Sequence, residues 1–123
     1  MKIFYWSPFF SNIATIKAVF NSARSLIKFQ KNNKYDVSII NSIGEWNNYK
    51  NITFEKIGFK DLREKDLSKI IPKGSYLKSR FSYLLIFIIN MKRLLKLINK
   101  EKPDYLLIHL ITSLPIFLSP FFN

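Results

Sequence analysis

The stretch KIFYWSPFFSNIATIKAVFNSARSLIKFQKNNKYDVSIINSIG, residues 2–44, decides the fold. Its first five residues are aromatic and β-branched, and Ser7-Pro8 punctuates them, which predicts a buried N-terminal strand followed by a loop. From Asn12 the pattern changes: Ile13, Ile16, Lys17, Phe20, Ala23, Arg24 and Ile27 recur at intervals of three and four, with Ser11 or Asn12 placed to cap the first turn. That spacing predicts a helix of about four turns. KNNK (31–34) ends it, and YDVSIINSIG (35–44) is a β-branched run closed by glycine, hence a second strand. Strand, helix and strand within about 40 residues have the size of a βαβ unit, whose crossover makes the two strands parallel neighbours in one sheet.

Working outward, NITFEKIGF (51–59) alternates Ile52 and Phe54 with, less strictly, Ile57 and Phe59, and predicts a third strand at an edge. Lys60 to Lys69 is polar and reads as loop or short helix. Beyond PKG (72–74) a helical pattern runs from about Tyr76 to Lys100 and stops before Pro103, since the residue preceding proline disfavours the helical region. DYLLIHL (104–110) is the next strand. In SLPIFLSPFF (113–122), Pro115 suits the first turn of a helix capped by Thr112 or Ser113, and Pro120 would end that helix after a turn or two. The resulting expectation is an α/β fold, a Rossmann-like three-layer sandwich with a mostly parallel sheet, as a single domain over residues 1–123.

Composition narrows the function classes. Of 123 residues, 48% are apolar and 16% aromatic, enough for one small domain with a real core and unlike a disordered chain. The chain has no cysteine and one histidine, so it offers no disulfide framework or thiolate metal site, and no metal or cofactor is expected. A reducing cytosol fits this. Ser7 and Pro8 break the first apolar run too early for a signal-peptide core. The longest apolar stretch, FSYLLIFIIN (81–90), falls well short of the roughly 20 residues that span a bilayer.

Twenty Lys and Arg against eight Asp and Glu give a net charge of +12, which suits an anionic partner but equally follows from biased genome composition. The charge is concentrated, with eight basic residues and one acid between Lys73 and Lys102. On a helical wheel Leu84, Phe87, Ile88, Met91, Leu94, Leu95 and Ile98 share one arc, and Lys92, Arg93, Lys96 and Lys100 share the opposite one. Leu85 and Ile89 lie above the basic arc, where solvent would be expected. Two readings stay open: a core helix with a solvated basic face, or a peripheral contact in which Lys92, Arg93, Lys96 and Lys100 meet an anionic membrane. Helix-turn-helix, zinc-finger and RNA-recognition signatures are absent from the sequence, and nucleic acid is not an expected partner.

Three segments together carry a family resemblance: MKIFYWSPFFSNIATIKAVFNSARSL (1–26), YDVSIINSIGEW (35–46) and KPDYLLIHLITSLP (102–115). They resemble the N-terminal domain of family 4 glycosyltransferases, which have the two-domain GT-B architecture; the last segment is similar to the family's "KPDIIHxH" type. The resemblance implies transfer of a sugar from a nucleotide-diphosphate sugar to a glycan or lipid-linked acceptor. It also implies that the donor-binding C-terminal domain, with its basic residues and paired glutamates, lies outside these 123 residues and that the chain alone is inactive. With the cysteine-free composition and the basic helix, the expected location is cytoplasmic, peripheral on the inner face of the plasma membrane. The alternative is a non-enzymatic basic α/β module that binds an anionic membrane surface or partner.

By the same resemblance the loop Ser7 to Asn12 lines the cleft near the donor phosphates, with Ser7, Ser11 and Asn12 as binding candidates beside a helix N-terminus. Where many members carry a glycine pair, this chain has PFFSN, which leaves open whether the loop approaches the phosphates, faces the acceptor or only caps the helix. His109 falls at the C-terminal end of its strand, the edge at which open α/β sheets bind ligands. Its expected role is positioning or proton transfer, and the alternative is a purely structural imidazole. Glu45, after Gly44, also follows a strand end and is a further binding candidate.

Overall fold

Two strands buried on both faces organise the chain. A computed structural model describes residues 1–8, 13–30, 34–51, 56–71 and 76–108. The elements run β1 (Lys2–Trp6), α1 (Ile13–Lys28), β2 (Asp36–Asn41), a 3-10 turn (Asn47–Tyr49), β3 (Ile57–Asp61), α2 (Tyr76–Glu101) and β4 (Tyr105–Ile108). They form a four-stranded sheet of order β3-β2-β1-β4 in which every pairing is parallel. Phe4, Tyr5 and Trp6 of β1 and Val37, Ile39 and Ile40 of β2 have no exposed surface, as expected of central strands covered by helices on both sides.

The pleat sorts side chains between two layers. On one face Ile3, Tyr5, Val37 and Ile39 meet Ile16, Val19, Phe20 and Ala23 of α1, and Trp46 closes the cluster. Those four helix positions are spaced by three and four, so they form one stripe. Phe20 meets Trp46 edge-on, with ring centroids 5.5 Å apart and an interplanar angle of 80°, a geometry that adds about 0.5–1.5 kcal/mol beyond simple burial. On the other face Phe4, Trp6, Ile40 and Leu62 pack against Leu94 of α2, with Phe87, Met91, Leu97 and Ile98 around them. The architecture is therefore helix, sheet, helix, an α/β arrangement consistent with a Rossmann-like fold.

Two elements depart from the sequence reading. The third strand lies later than 51–59: β3 begins at Ile57 and takes in Lys60 and Asp61, and positions 52–55 fall outside the described residues. An edge strand has one hydrogen-bonding neighbour and tolerates polar residues, and Asp61 is matched there by Asn41 and Lys50. Gly58 fits close packing, because a Cβ in its place would come within 2.8 Å of Ser38 Oγ.

The second departure concerns which way α2 faces. Ser82, Ile86, Asn90 and Leu94, each four residues apart, form its buried line. Leu84 and Ile88, placed by the wheel on the inward arc, are 43% and 61% exposed, and Leu77 and Phe81 continue that exposed stripe at 77% and 62%. Ile89 turns inward onto Ile43, Ile71 and Ile86. The wheel misleads because two polar residues sit on the packed line. Asn90 is accommodated by donating to Ile86 O at 3.0 Å and accepting from Arg63 Nε at 2.9 Å.

At its C-terminus α2 ends on Lys102, whose positive φ of 47° and N–H to Ile98 O (2.7 Å) make a left-handed stop before Pro103. Lys2 and Asp104 then exchange main-chain and carboxylate bonds, which bring β4 into register beside β1. The expected elements after His109 lie outside the described residues.

Candidate functional site at the C-terminal edge of the sheet

From β1 the chain moves to one side, through α1 to β2 and on to β3, and then returns by α2 to place β4 on the other side of β1. The order therefore reverses between β1 and β4. In open parallel sheets the crevice beyond the C-terminal strand ends at such a reversal is where ligands bind. Ser7 directly follows β1 at this reversal, and β4 ends at Ile108, one residue before His109. His109, Ser11 and Asn12 lie outside the described residues.

Ser7 is fully buried, and its hydroxyl has no hydrogen-bond partner among the described residues. A buried hydroxyl without a partner costs roughly 1–3 kcal/mol, so it is an unusual choice where alanine would fit. Its neighbour Trp6 is engaged, since the indole Nε1–H donates to Ser42 Oγ just beyond β2.

The turn after β2 is built around Glu45. Its carboxylate accepts the Ser42 N–H at 3.1 Å and the Ile43 N–H at 2.7 Å, closing a tight loop. Gly44 makes this possible with φ of +98°, and a Cβ there would lie 2.5 Å from Asp66 Oδ1. Burial pushes the Glu45 carboxyl up to about 7 from its ordinary 4.5, the Ile43 and Ser42 N–H groups working against that rise and Asp66 adding to it. Both oxygens of Glu45 are thus turned into its own loop, and the residue braces the end of β2. No hydrogen bond joins it to Ser7 among the described residues.

Asn41, which the sequence reading did not single out, is the hub beside this turn. Its Nδ2 donates to Asn47 Oδ1 (2.8 Å) and Asp61 Oδ1 (2.6 Å), and its Oδ1 accepts the Trp46 N–H (3.1 Å). It thereby ties the ends of β2 and β3 to the loop that carries Trp46 into the α1 face. The one sequence cue was an amide ending a β-branched run, which turn-forming side chains often do. Asp66 is held below its ordinary value chiefly by the Ser68 hydroxyl. The main-chain N–H groups of Leu67 and Ser68 donate to Ile43 O, which holds the 66–68 segment against the turn.

The basic candidates Lys92, Arg93, Lys96 and Lys100 are all exposed on α2. They do not form one free set, because Arg93 Nη1 reaches back to Leu62 O at 3.2 Å. No helix among the described residues is long and apolar enough to cross a membrane, and no described group of three His, Asp or Glu is placed to hold a metal ion. Compared with protein-family models, with curated proteins and with solved structures, the chain finds no match.

Proposed function

We propose that this chain is the acceptor-side domain of a GT-B glycosyltransferase, which moves a sugar from a nucleotide-diphosphate donor to a glycan or lipid-linked acceptor. The donor's diphosphate is assigned to the second domain of that architecture. The observation that carries the reading is the reversal of strand order between β1 and β4, with the fully buried Ser7 hydroxyl, which has no partner among the described residues, directly after β1. A hydroxyl kept in that state at a ligand crevice is what a sugar hydroxyl or phosphate oxygen would satisfy. His109, which follows Ile108 in the sequence, is assigned to positioning or proton transfer, and Ser11 and Asn12 to binding of the donor or acceptor.

Ser7→Ala tests this directly. If the hydroxyl serves only a ligand, the variant keeps or gains stability in urea unfolding, by about 1 kcal/mol, while losing affinity for glycan acceptors. The Trp6 indole resonance, adjacent to Ser7, reports that affinity. An acceptor panel that never perturbs Trp6, or a Ser7→Ala variant that binds as well as the wild type, would remove the basis for the assignment. Sugar transfer by the purified chain with no second polypeptide would overturn the division of labour between the domains.

The exposed stripe Leu77, Phe81, Leu84 and Ile88 favours a second reading, a basic module on an anionic membrane. Lys78, Arg80 and Lys92 are exposed beside it, the combination by which an amphipathic helix lies in a lipid interface. Flotation with vesicles of anionic and of neutral lipid separates the readings. This one requires binding to the former that is lost when Lys92, Lys96 and Lys100 are neutralised together.

A further inference from the structure

At the outer end of β3, away from the β1–β4 crevice, an open cleft of about 630 Å³ lies between the chain leaving β3 and the middle of α2. Two arginines cross it in opposite directions. Arg63 reaches from the β3 side to α2, donating from Nε to Asn90 Oδ1 (2.9 Å) and from Nη2 to Ile89 O (2.7 Å). Arg93 reaches from α2 to the β3 side, donating from Nη1 to Leu62 O (3.2 Å). Both are anchored by neutral acceptors, and neither forms an ion pair with a described carboxylate.

The guanidiniums are close enough to repel. Arg63 is shifted below its ordinary value by desolvation and then by the charge of Arg93. Of the acids on the cleft wall, Asp61 is already held by Lys50 Nζ at 2.7 and 2.8 Å, and Glu64 forms no ion pair with either arginine among the described residues. What remains is a like-charged pair whose unused N–H donors line a cleft. A protein that places two anchored guanidiniums together with no acid paired to either leaves that charge for a ligand, and the fork of donors matches a tetrahedral oxyanion.

We propose that this cleft is a phosphate-binding site in which Arg63 and Arg93 grip a phosphate group, either free or carried by a small molecule. Asn90 is its positioning residue: fully buried and fixed to Ile86 O, it holds Arg63 by Nε and leaves the outer edge of the guanidinium available. The site does not depend on the transferase reading, since it lies at another strand end and uses none of the residues of the β1–β4 crevice.

Calorimetric titration of the 123-residue chain with inorganic phosphate and with glucose 1-phosphate, at constant ionic strength, tests the proposal. Saturable binding at one site is expected. Arg63→Gln with Arg93→Gln should weaken it at least about tenfold, because charge-assisted bonds to both guanidiniums are lost. Lys96→Gln with Lys100→Gln removes the same charge from the outer helix and should leave affinity within about twofold. Equal loss in the two double variants would show general attraction to a basic protein and overturn the site, as would the absence of saturation. If circular dichroism shows that the arginine pair is needed for folding, Arg93→Lys decides, since it keeps the charge and a donor for Leu62 O but loses the fork. Unchanged affinity in that variant overturns the proposal, and a several-fold loss supports it. Tighter binding of glucose 1-phosphate than of inorganic phosphate assigns a phosphorylated sugar, and equal binding assigns free phosphate.

Discussion

The two faces of the sheet are packed by different rules. On the α1 face every buried helix residue is apolar, and an aromatic group formed by Phe20, Trp46, Tyr49 and Phe59 closes it. On the α2 face the buried line alternates Ser82, Ile86, Asn90 and Leu94, and an arginine from outside the helix completes it. The first face gains its stability from area removed from water. The second divides its interior between burial and hydrogen bonds that must all be made, which is how one helix comes to border both a polar cleft and a core.

The largest test of this contrast is Phe20→Ala. It removes a buried ring that touches both Trp46 and Tyr49, and should cost about 3–5 kcal/mol in urea unfolding. A loss under about 1 kcal/mol would mean that the α1 face is not a dry, well-packed core. The pH dependence of the same face comes next, because the Glu45 turn delivers Trp46 to it. The folded carboxyl, at about 7, holds its proton more tightly than an unfolded glutamate near 4.5, so the native state binds more protons between those values. Stability is then greatest below about 4.5 and falls as pH rises to about 7, by on the order of 3 kcal/mol. Glu45→Gln should abolish that slope, and unfolding midpoints at pH 5 and pH 7.5 measure it. A wild-type midpoint that rises across the window by as much as the variant's would refute the burial of this proton.

On the α2 face the corresponding test is Asn90→Leu. An apolar residue of similar size fills the space but strips Arg63 Nε of its acceptor, for a cost of about 1–3 kcal/mol. If Asn90→Leu instead stabilises, the amide is dispensable packing, and the α2 face follows the same rule as the α1 face.

This division also decides what could be read from the chain. The βαβ start was legible because Ile16, Val19, Phe20 and Ala23 carry an unbroken apolar stripe between two strands without polar interruptions. The extent of α2 was equally plain, since Pro103 stops it, but its orientation was not: Leu84 and Ile88 are as apolar as Ile86 and Leu94, and hydropathy alone does not say which pair meets the sheet. That is set by Arg63 and Leu62, which lie more than twenty residues away in a stretch that reads as polar loop. For the candidate site, Ser7 was marked by the proline after it and Glu45 by the glycine before it. Glu45's inward turn is closed by the Ser42 and Ile43 N–H groups of its own loop, whereas the hub at Asn41 depends on Asp61, a residue of another segment, and its one local cue was an amide ending a β-branched run.

The smallest expected effect sharpens the contrast most. Ile88 is one of four large apolar residues on the outer side of α2, and at 61% exposure it contributes little to the core. Ile88→Ser should therefore shift stability by no more than about 0.5 kcal/mol, as substitutions outside buried contacts usually do. A uniformly amphipathic helix gives the opposite result, since Ile88 lies on the arc its wheel would bury. Equal thermal midpoints for Ile88→Ser and wild type, together with a several-degree fall for Ile86→Ala, would show that α2 packs along 82, 86, 90 and 94. A fall for Ile88→Ser as large as for Ile86→Ala would instead mean that the outer stripe is covered in solution, and a packed line along 82, 86, 90 and 94 alone would have to be abandoned.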